Sequence, residues 1–269
     1  MNTGSHSARK RFGQNFLHDQ GVIERIIAAF APRDCDQVVE IGPGLGALTL
    51  PLFEAIPRLH VVELDRDLVA RLQANPAYGG QLVIHQADAL KFDFCTLAQD
   101  NKLRIIGNLP YNISTPLLFH LLEQAYCIED MYLMLQKEVV DRLLATPGTK
   151  NYGRLSVMVQ WQCDVNRILD VGPGAFRPAP KVSSAVVRLT PLQQTLDVGS
   201  RGTLTHVVKA AFCQRRKTLR NTLKGIINAN GLMELDIDAG RRAETLSLQE
   251  FARIARAVHG TGQSGLDPS

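Results

Sequence analysis

Short apolar runs and helical patterns alternate along the first two-thirds of the chain. Runs rich in β-branched and aliphatic residues, bounded by polar residues or glycine, predict strands over 37–41, 59–64, 82–86, 103–106 and 130–135. Apolar residues spaced three and four apart predict helices over 47–56, 66–73, 116–124 and 137–144. This alternation favours right-handed crossovers, and therefore an α/β fold with a doubly wound, mostly parallel sheet covered by helices on both faces.

The pattern changes toward the C-terminus. Two more strands are predicted over 163–171 and 182–189, and the Gly/Pro-rich segment that joins them has no helical pattern. We expect these two strands to pair antiparallel at one edge of the sheet. After Pro191 the strand patterns stop, and helical spacing over 204–227 and 248–259 predicts a small all-helical domain. The expected domains are residues 1–190 and 191–269.

Composition places the chain among ordinary globular proteins. Hydrophobic residues make up 45% of its 269 residues and charged residues 21%. No apolar run approaches the ~18 residues of a membrane span, and the N-terminus has no apolar core of a secretory signal. The five cysteines are scattered without a C-x-x-C pair or a nearby His pair, which argues against structural zinc and a disulfide framework. No metal site is predicted. A reducing, cytoplasmic location is the expectation. A monomer is expected as well, because no long apolar heptad pattern or strongly exposed apolar stripe is visible.

Positive charge is concentrated in two places, although the formal net charge is only +4. Between Val198 and Met233 there are seven Lys and Arg residues and no Asp or Glu, and 9–11 form a second cluster. Such local imbalance indicates a polyanionic partner, while a solvated helix face would explain either cluster alone. The predicted helix over 204–227 places Arg216, Arg220 and Lys224 on one face, opposite an apolar stripe. Five cations of this segment are candidate RNA phosphate contacts, namely Arg215, Arg216, Lys217, Arg220 and Lys224.

A glycine-rich turn follows the first strand and precedes the first helix. Gly42, Gly44 and Gly46 form G-x-G-x-G, in which the backbone can turn sharply and approach a ligand closely. No Lys-Ser/Thr pair follows, so the turn is not a phosphate-binding P-loop. By itself it could be a structural tight turn.

Two carboxylates at the ends of later strands make the interpretation of the turn as a cofactor site more specific. Glu63, 21 residues after Gly42, lies where a carboxylate accepts hydrogen bonds from ribose hydroxyls. Asp88 follows the third strand and can accept from an adenine amine, although a turn carboxylate would explain Asp88 alone. As an ordered series at successive strand ends, these residues fit S-adenosylmethionine better than NAD. We therefore predict a Rossmann-like class I methyltransferase domain.

The stretch Asn108-Leu109-Pro110-Tyr111 follows the fourth strand, at the same edge of the sheet. The Asn108 amide oxygen and the carbonyl of Leu109 or Pro110 can accept both hydrogens of an exocyclic amine, while Tyr111 stacks on its ring. Asn108 also borders the predicted cofactor site. A turn with an Asn cap and a buried Tyr is the alternative for this stretch taken alone. Because the stretch follows the glycine turn and the two carboxylates at earlier strand ends, it predicts methyl transfer to the amine of a base.

Phe176, in the Gly/Pro-rich segment, is a candidate second stacking wall on the opposite face of the base. A loop aromatic that fills a gap in the packing is the alternative. A base held between Phe176 and Tyr111 would have to leave its stack, so the substrate should be flipped or unpaired.

These motifs resemble the small-subunit ribosomal RNA adenine dimethyltransferases, the kasugamycin-sensitivity methylase group. The resemblance rests on the residues 10–17 (KRFGQNFL), 40–46, 107–116 (GNLPYNISTP) and 176–184, and on the basic segment. It implies that the segment 14–17 closes over the methyl donor, which makes Asn15 and Leu17 cofactor-binding candidates. It also implies dimethylation of two adjacent adenosines in a hairpin loop near the 3′ end of small-subunit RNA, in a 30S precursor, and a part in ribosome biogenesis.

Two other classes of function stay open at this point. One is a non-catalytic ribosome-assembly protein on a methyltransferase scaffold, against which the complete Asn108–Tyr111 stretch and glycine turn argue. The other is a DNA or small-molecule amine methyltransferase. A DNA enzyme usually carries a larger recognition region than the residues after Pro191 provide.

Overall fold

A computed structural model describes residues 14–56, 58–99 and 101–263. The basic cluster 9–11 and the start of the KRFGQNFL motif lie outside the described residues. Nine strands and ten α-helices are found in the described part of the chain: β1 (Phe16–Leu17), α1 (Gln20–Phe30), β2 (Gln37–Ile41), α2 (Thr49–Ala55), β3 (Leu59–Glu63), α3 (Arg66–Gln73), β4 (Val83–Gln86), β5 (Leu103–Asn108), α4 (Ser114–Glu123), β6 (Ile128–Gln136), α5 (Lys137–Leu143), α6 (Arg154–Gln162), β7 (Cys163–Val171), β8 (Phe176–Arg177), β9 (Ser184–Pro191), α7 (Arg201–Ala211), α8 (Leu219–Thr222), α9 (Ala229–Glu234) and α10 (Leu248–Gln263).

The chain divides into two compact units, with a division that differs from the expected one. The first unit runs to Val140 and takes in Val165–Pro191, and the second comprises Asp141–Asp164 and the chain from Leu192 onward. The expected break after residue 190 therefore falls next to an observed one. The segment Asp141–Asp164, which includes α6, belongs to the second unit and not to the first as expected, and no strong helical periodicity marked α6 in the sequence.

Seven strands form the main sheet in the order β4-β3-β2-β5-β6-β9-β7. The pairs among β2, β3, β4, β5 and β6 are parallel, and β6 pairs with β9 antiparallel. The predicted doubly wound, mostly parallel sheet is confirmed, and β9 and β7 are neighbours at one edge. Val38, Val39 and Ile105 are fully buried, as expected for central strands covered on both faces.

Gly107 determines how closely β5 approaches β2. A Cβ atom at Gly107 would lie 2.6 Å from the carbonyl oxygen of Ile41, a separation that real Cβ atoms essentially never show. Glycine is therefore the residue that lets β5 lie against the end of β2 immediately before Asn108. Sequence reasoning gave Gly107 no role.

The helix predicted over 204–227 is interrupted. Helix α7 ends at Ala211 and α8 comprises only Leu219–Thr222. The backbone N–H groups of Leu219 and Arg220 donate to the carbonyl oxygens of Arg241 and Ala239, at 2.8 and 3.0 Å. These amides therefore have tertiary partners in place of the carbonyls four residues earlier, and a continuous helix cannot form through the segment.

The cysteine prediction is wrong for one pair. Cys95 and Cys127, separated by 32 residues in the chain, form a disulfide with their Cα atoms 5.6 Å apart. Cys35, Cys163 and Cys213 are free thiols. Cysteine spacing alone did not indicate the pair, because the fold and not the spacing brings these residues together. Among the described helices, none is long and apolar enough to cross a membrane.

Candidate active site

The carboxyl ends of four neighbouring strands surround one cavity of about 220 Å³. Parallel strands end at the same edge of a sheet, so residues distant in sequence meet there. This cavity is lined by the cofactor-binding candidates from the sequence, namely Gly42, Gly44, Glu63, Asp88 and Asn108. Asn15 and Leu17, indicated only by the family resemblance, line it too.

The glycine turn needs its glycines. Gly42 and Gly44 have φ angles of 68° and 59°, in the left-handed region that side chains disfavour. A Cβ on Gly44 would also lie 3.2 Å from the ring of Phe16. The N–H of Gly42 donates to the carbonyl oxygen of Val62 at 2.9 Å, which joins the turn to the end of β3.

Glu63 is buried, with 8% of its surface exposed, and both carboxylate oxygens are already engaged. Oε1 accepts from the Asp65 N–H at 2.9 Å, and Oε2 accepts from the Gly44 N–H at 3.3 Å. Burial raises the pKa of Glu63 above its ordinary value, and these two backbone donors oppose that rise. With a third backbone donor at Leu64, the carboxylate still has acceptor capacity left for a ligand hydroxyl.

Glu40 is a buried carboxyl group that sequence reasoning quoted within the glycine motif but gave no role. It lines the cavity from β2, and its Oε2 atom has no hydrogen-bond partner among the described residues. Burial, with the charge of Glu63 adding to it, raises the pKa of Glu40 to about 8. Glu40 is therefore mostly protonated at neutral pH. A lone Glu in the apolar run before the glycines was the available signal.

Asp88 serves a turn as well as the cavity. Its Oδ1 atom accepts from the Leu90 N–H at 3.0 Å, and its carbonyl oxygen accepts from the Lys91 N–H at 2.9 Å. Asp88 therefore does stabilise a turn, which was the alternative considered for it. This role leaves Oδ2 of Asp88 as an acceptor at the cavity wall.

Asn108 is oriented by the N-terminal segment. Its Nδ2 atom donates to the carbonyl oxygen of Asn15 at 3.0 Å. This fixes the amide plane and leaves Oδ1 as the acceptor. Of the two backbone carbonyls considered, that of Pro110 already accepts from the Ile113 N–H at 3.2 Å, whereas that of Leu109 accepts no hydrogen bond from the described residues.

Tyr111 is held at both of its ends. Its carbonyl oxygen accepts from Ser114 Oγ at 3.1 Å, and its hydroxyl lies 2.7 Å from Ser184 Oγ. The ring is half-buried beside the cavity, and burial raises the pKa of its hydroxyl. The sequence predicted Tyr111 but not Ser184.

The N-terminal segment is fastened over the glycine turn from two sides. Strand β1 pairs antiparallel with β8, so that Leu17 faces Phe176 in register. Gln14 Nε2 donates to Asp65 Oδ2 at 3.2 Å. No local pattern predicted either contact.

Phe176, the candidate second stacking wall, packs in the core in this structure and not at the cavity wall. Only 2% of its surface is exposed, it belongs to the apolar core, and it is not among the residues that line the cavity. The alternative considered for it, packing, describes this structure. A role in stacking would require the ring to leave that packing.

The candidate RNA-binding cations are exposed but do not share one helical face. The exposed cations Arg216, Lys217, Arg220 and Lys224 lie between the end of α7 and the residues just after α8. The Arg215 guanidinium donates to the carbonyl oxygen of Lys150 and lies 3.7 Å from the Glu244 carboxylate. Arg215 therefore has a structural role that the sequence did not indicate. Within the described part of the chain, no group of three or more His, Cys, Asp or Glu residues could hold a metal ion.

The strand order, the glycine turn and the acceptors at successive strand ends define a Rossmann-like methyltransferase that uses S-adenosylmethionine. Residues 5–259 match the family model described as ribosomal RNA adenine dimethylase. The chain belongs to this family.

Individual relatives agree with that membership. The chain is 58% identical over 255 residues to ribosomal RNA small subunit methyltransferase A of Tolumonas auensis, covering 93% of this chain and 94% of the relative. It is 54% identical over 267 residues to the protein of the same name from Marinobacter nauticus, covering 99% and 97%.

Solved structures are similar as well. A dimethyladenosine transferase from Plasmodium falciparum has a TM-score of 0.76 at 26% identity, covering 89% of this chain and 95% of that one. The 23S rRNA methyltransferase ErmE has a TM-score of 0.68 at 23% identity, covering 91% and 99%, which supports the fold.

Proposed function

We propose that the cavity holds S-adenosylmethionine and presents its methyl group to an adenine amine gripped by Asn108 and Leu109. The observation that carries this proposal is the orientation of the Asn108 amide. Because its N–H group is committed to the Asn15 carbonyl, Oδ1 is the atom left to accept from a substrate. The Leu109 carbonyl is the second acceptor, since the Pro110 carbonyl is used within the turn.

Family membership fixes the reaction class. The chain is a small-subunit rRNA adenine N6,N6-dimethyltransferase with S-adenosylmethionine as the methyl donor. The finer assignments are proposals: the target is two adjacent adenosines in a hairpin loop near the 3′ end of the RNA, met in a 30S precursor. We also infer that the enzyme takes part in subunit biogenesis, works in the cytoplasm where subunits assemble, and acts as a monomer.

The residues of the cavity suit the methyl donor. The spare lone pairs of Glu63 can accept from ribose hydroxyls, Asp88 Oδ2 can accept from the adenine amine, and Gly42 and Gly44 leave room for a close backbone approach. The bound donor supplies a sulfonium methyl group, whose carbon forms a bond to nitrogen while the C–S electron pair passes to sulfur. Asn15 and Leu17 cover the site from the N-terminal segment.

The contribution of the chain to the reaction is mainly to position and polarise the amine. The lone pair of an adenine amine is delocalised into the ring, which makes the nitrogen a poor nucleophile. Hydrogen bonds from both N–H groups to Asn108 Oδ1 and the Leu109 carbonyl draw the nitrogen toward a tetrahedral shape, and stacking on Tyr111 fixes the ring. The nitrogen becomes acidic only as the new bond forms, so its proton can pass to water without a strong base.

The choice of acceptor molecule distinguishes this function from its alternatives. We expect the wild-type protein to methylate small ribosomal subunits that lack the modification, and to leave large subunits and duplex DNA unmodified. The measurement is the transfer of labelled methyl from S-adenosylmethionine to each acceptor at matched concentration. Binding to small subunits without transfer would support a pure assembly factor, and preferential labelling of DNA would support a DNA methyltransferase.

Replacing Glu63 with glutamine tests the assignment of the cofactor site. A hydrogen bond to a charged group contributes about 1.5–3 kcal/mol, so Glu63→Gln should raise the Kd for S-adenosylmethionine by roughly ten- to a hundredfold. Calorimetry on the enzyme without RNA measures this directly. Lys217→Gln, a neutralising change at an exposed position outside the cavity, is the control and should keep the wild-type Kd. An unchanged Kd in Glu63→Gln would refute the assignment.

Charge reversal at the exposed cations tests their proposed contact with RNA phosphates. The combined variant Arg216→Glu, Arg220→Glu, Lys224→Glu should lower affinity for small subunits by at least tenfold at low salt and flatten its dependence on salt. Its Kd for S-adenosylmethionine should not change, because none of the three residues lines the cavity. Wild-type affinity across a salt series would show that these cations are only a solvated surface.

A further inference from the structure

Ser184 is a fully buried serine at the first position of β9, and its hydroxyl contacts the side chain of Tyr111. The two oxygens are 2.7 Å apart, and 73 residues separate them in the chain. Ser184 does not line the cavity. Its hydroxyl therefore reaches the site through Tyr111 alone.

The sheet gives this contact a fixed frame. Asn108 on β5 is in register with Met134 on β6, and Ser184 on β9 is in register with Gln136 on the same strand. The Leu109 N–H donates to the Met134 carbonyl, at 3.2 Å. The chain after β5 thus passes the end of β6, and Tyr111 reaches the strand beyond it.

The two side chains proposed to hold the adenine, Asn108 and Tyr111, are consequently both fixed by contacts within the protein. Asn108 is held by the Asn15 carbonyl, and Tyr111 is held by Ser114 at its backbone and by Ser184 at its hydroxyl. The Ser184 contact fixes the far end of the Tyr111 side chain, 2.7 Å from the serine oxygen, and so sets the direction in which the ring extends from the backbone. Preorganisation of this kind matters most where the substrate itself contributes few restraints.

The two methylations differ in how strongly the substrate is restrained. An unmodified adenine amine offers two N–H groups to the two acceptors. Each transfer forms one C–N bond and releases one N–H proton to water, so the monomethylated amine has a single N–H left to donate. One of its two hydrogen bonds is lost, and stacking on Tyr111 carries more of the orientation in the second transfer.

We propose that Ser184 is a positioning residue that holds the Tyr111 ring for methylation of the monomethylated adenosine. This inference rests on the proposed role of Asn108–Tyr111. Ser184→Ala should slow the second transfer more than the first, so that N6-monomethyladenosine accumulates. Because one net hydrogen bond corresponds to a factor of up to about ten, we expect the ratio of second to first rate constants to fall on the order of fivefold.

The experiment is a single-turnover time course on small subunits lacking the modification, with mono- and dimethyladenosine quantified separately. Wild type, Ser184→Ala, Tyr111→Phe and the double variant form a cycle, and Ser184→Thr keeps the hydroxyl and should restore the wild-type ratio. Tyr111→Phe should shift the ratio as Ser184→Ala does, and the double variant should shift it no further. The Kd for S-adenosylmethionine should stay the same in Ser184→Ala and Ser184→Thr, because Ser184 does not line the cavity.

Several results would overturn the proposal. A wild-type ratio in Ser184→Ala would do so, as would effects that multiply in the double variant. If Ser184→Ala fails to fold, Tyr111→Phe decides, because it removes the same contact without changing β9, and a wild-type ratio there refutes the inference. Absence of dimethyladenosine from the wild-type reaction would instead overturn the function proposed above.

Discussion

Replacement of Asn108 with alanine should lower the rate constant of methyl transfer by roughly two to three orders of magnitude, the usual effect of removing one preorganised polar group from a reacting centre. The substitution deletes the acceptor Oδ1 and leaves the amine held by the Leu109 carbonyl alone. Single-turnover transfer to small subunits at saturating S-adenosylmethionine isolates this step. The Kd for S-adenosylmethionine should change much less, since Asn108 is one residue among many around the cavity.

Asn108→Asp is the matched control. It keeps an acceptor of the same shape but loses the N–H that donates to the Asn15 carbonyl. We expect transfer slower than in wild type and faster than in Asn108→Ala, because the carboxylate can still accept from the amine. An alanine variant within tenfold of wild type would mean that Asn108 does not polarise the substrate.

Replacement of Arg104 with methionine should cost about 3–5 kcal/mol of unfolding free energy, as expected when one partner of a buried ion pair is removed. Arg104 is 5% exposed and its guanidinium donates to Asp130 at 2.9 Å, to Asp36 at 2.7 Å and to the Phe30 carbonyl at 2.7 Å. It also lies 4.2 Å from the centre of the Phe30 ring. Without it, two carboxylates would remain buried with much of their compensation gone. Denaturant titration measures the loss.

The pH dependence of that variant identifies the cause. Burial alone would raise the pKa of Asp36, but hydrogen bonds and charge from Arg104 bring it below its ordinary value. In the wild type this group therefore contributes stability that is lost as the pH falls through the acidic range. The unfolding free energy of Arg104→Met should therefore come closer to that of the wild type as the pH is lowered, because protonation neutralises the uncompensated carboxylates.

Arg33→Met is the comparison for this prediction. Arg33 pairs with Asp36 and Glu129, but 56% of its side chain is exposed. Solvent screens such pairs, so its replacement should have a much smaller effect. Equal losses of unfolding free energy in Arg33→Met and Arg104→Met would show that burial does not determine how much an ion pair contributes to stability.

The layout of the cofactor site could be predicted from the sequence because it depends on periodicity and on strand ends. Glu63 lies at the carboxyl end of a predicted strand, Asp88 and Asn108 follow the next two predicted strands, and consecutive parallel strands end at one edge. Local patterns therefore sufficed to bring together residues up to 66 positions apart, from Gly42 to Asn108.

Contacts made by tertiary pairing left no such signal. The Ser184 hydroxyl, the β1–β8 pairing and the Cys95–Cys127 disulfide depend on which segments the fold brings together. The prediction of a continuous helix after Ala211 was wrong for the same reason, since backbone N–H groups of that segment donate to the carbonyls of a distant loop. Phe176, an aromatic residue near a functional motif that the sequence assigned to the site, packs in the core and does not line the cavity.

Nucleoside analysis of small ribosomal subunits after reaction with the wild-type enzyme and with Asn108→Ala tests the proposed chemistry most directly. Subunits lacking the modification are incubated with labelled S-adenosylmethionine, digested and resolved by mass spectrometry. N6,N6-dimethyladenosine at adjacent positions, formed by wild type and almost absent with Asn108→Ala, is the predicted result. Methyl groups on another atom or base, or dimethyladenosine formed equally by both proteins, would contradict it.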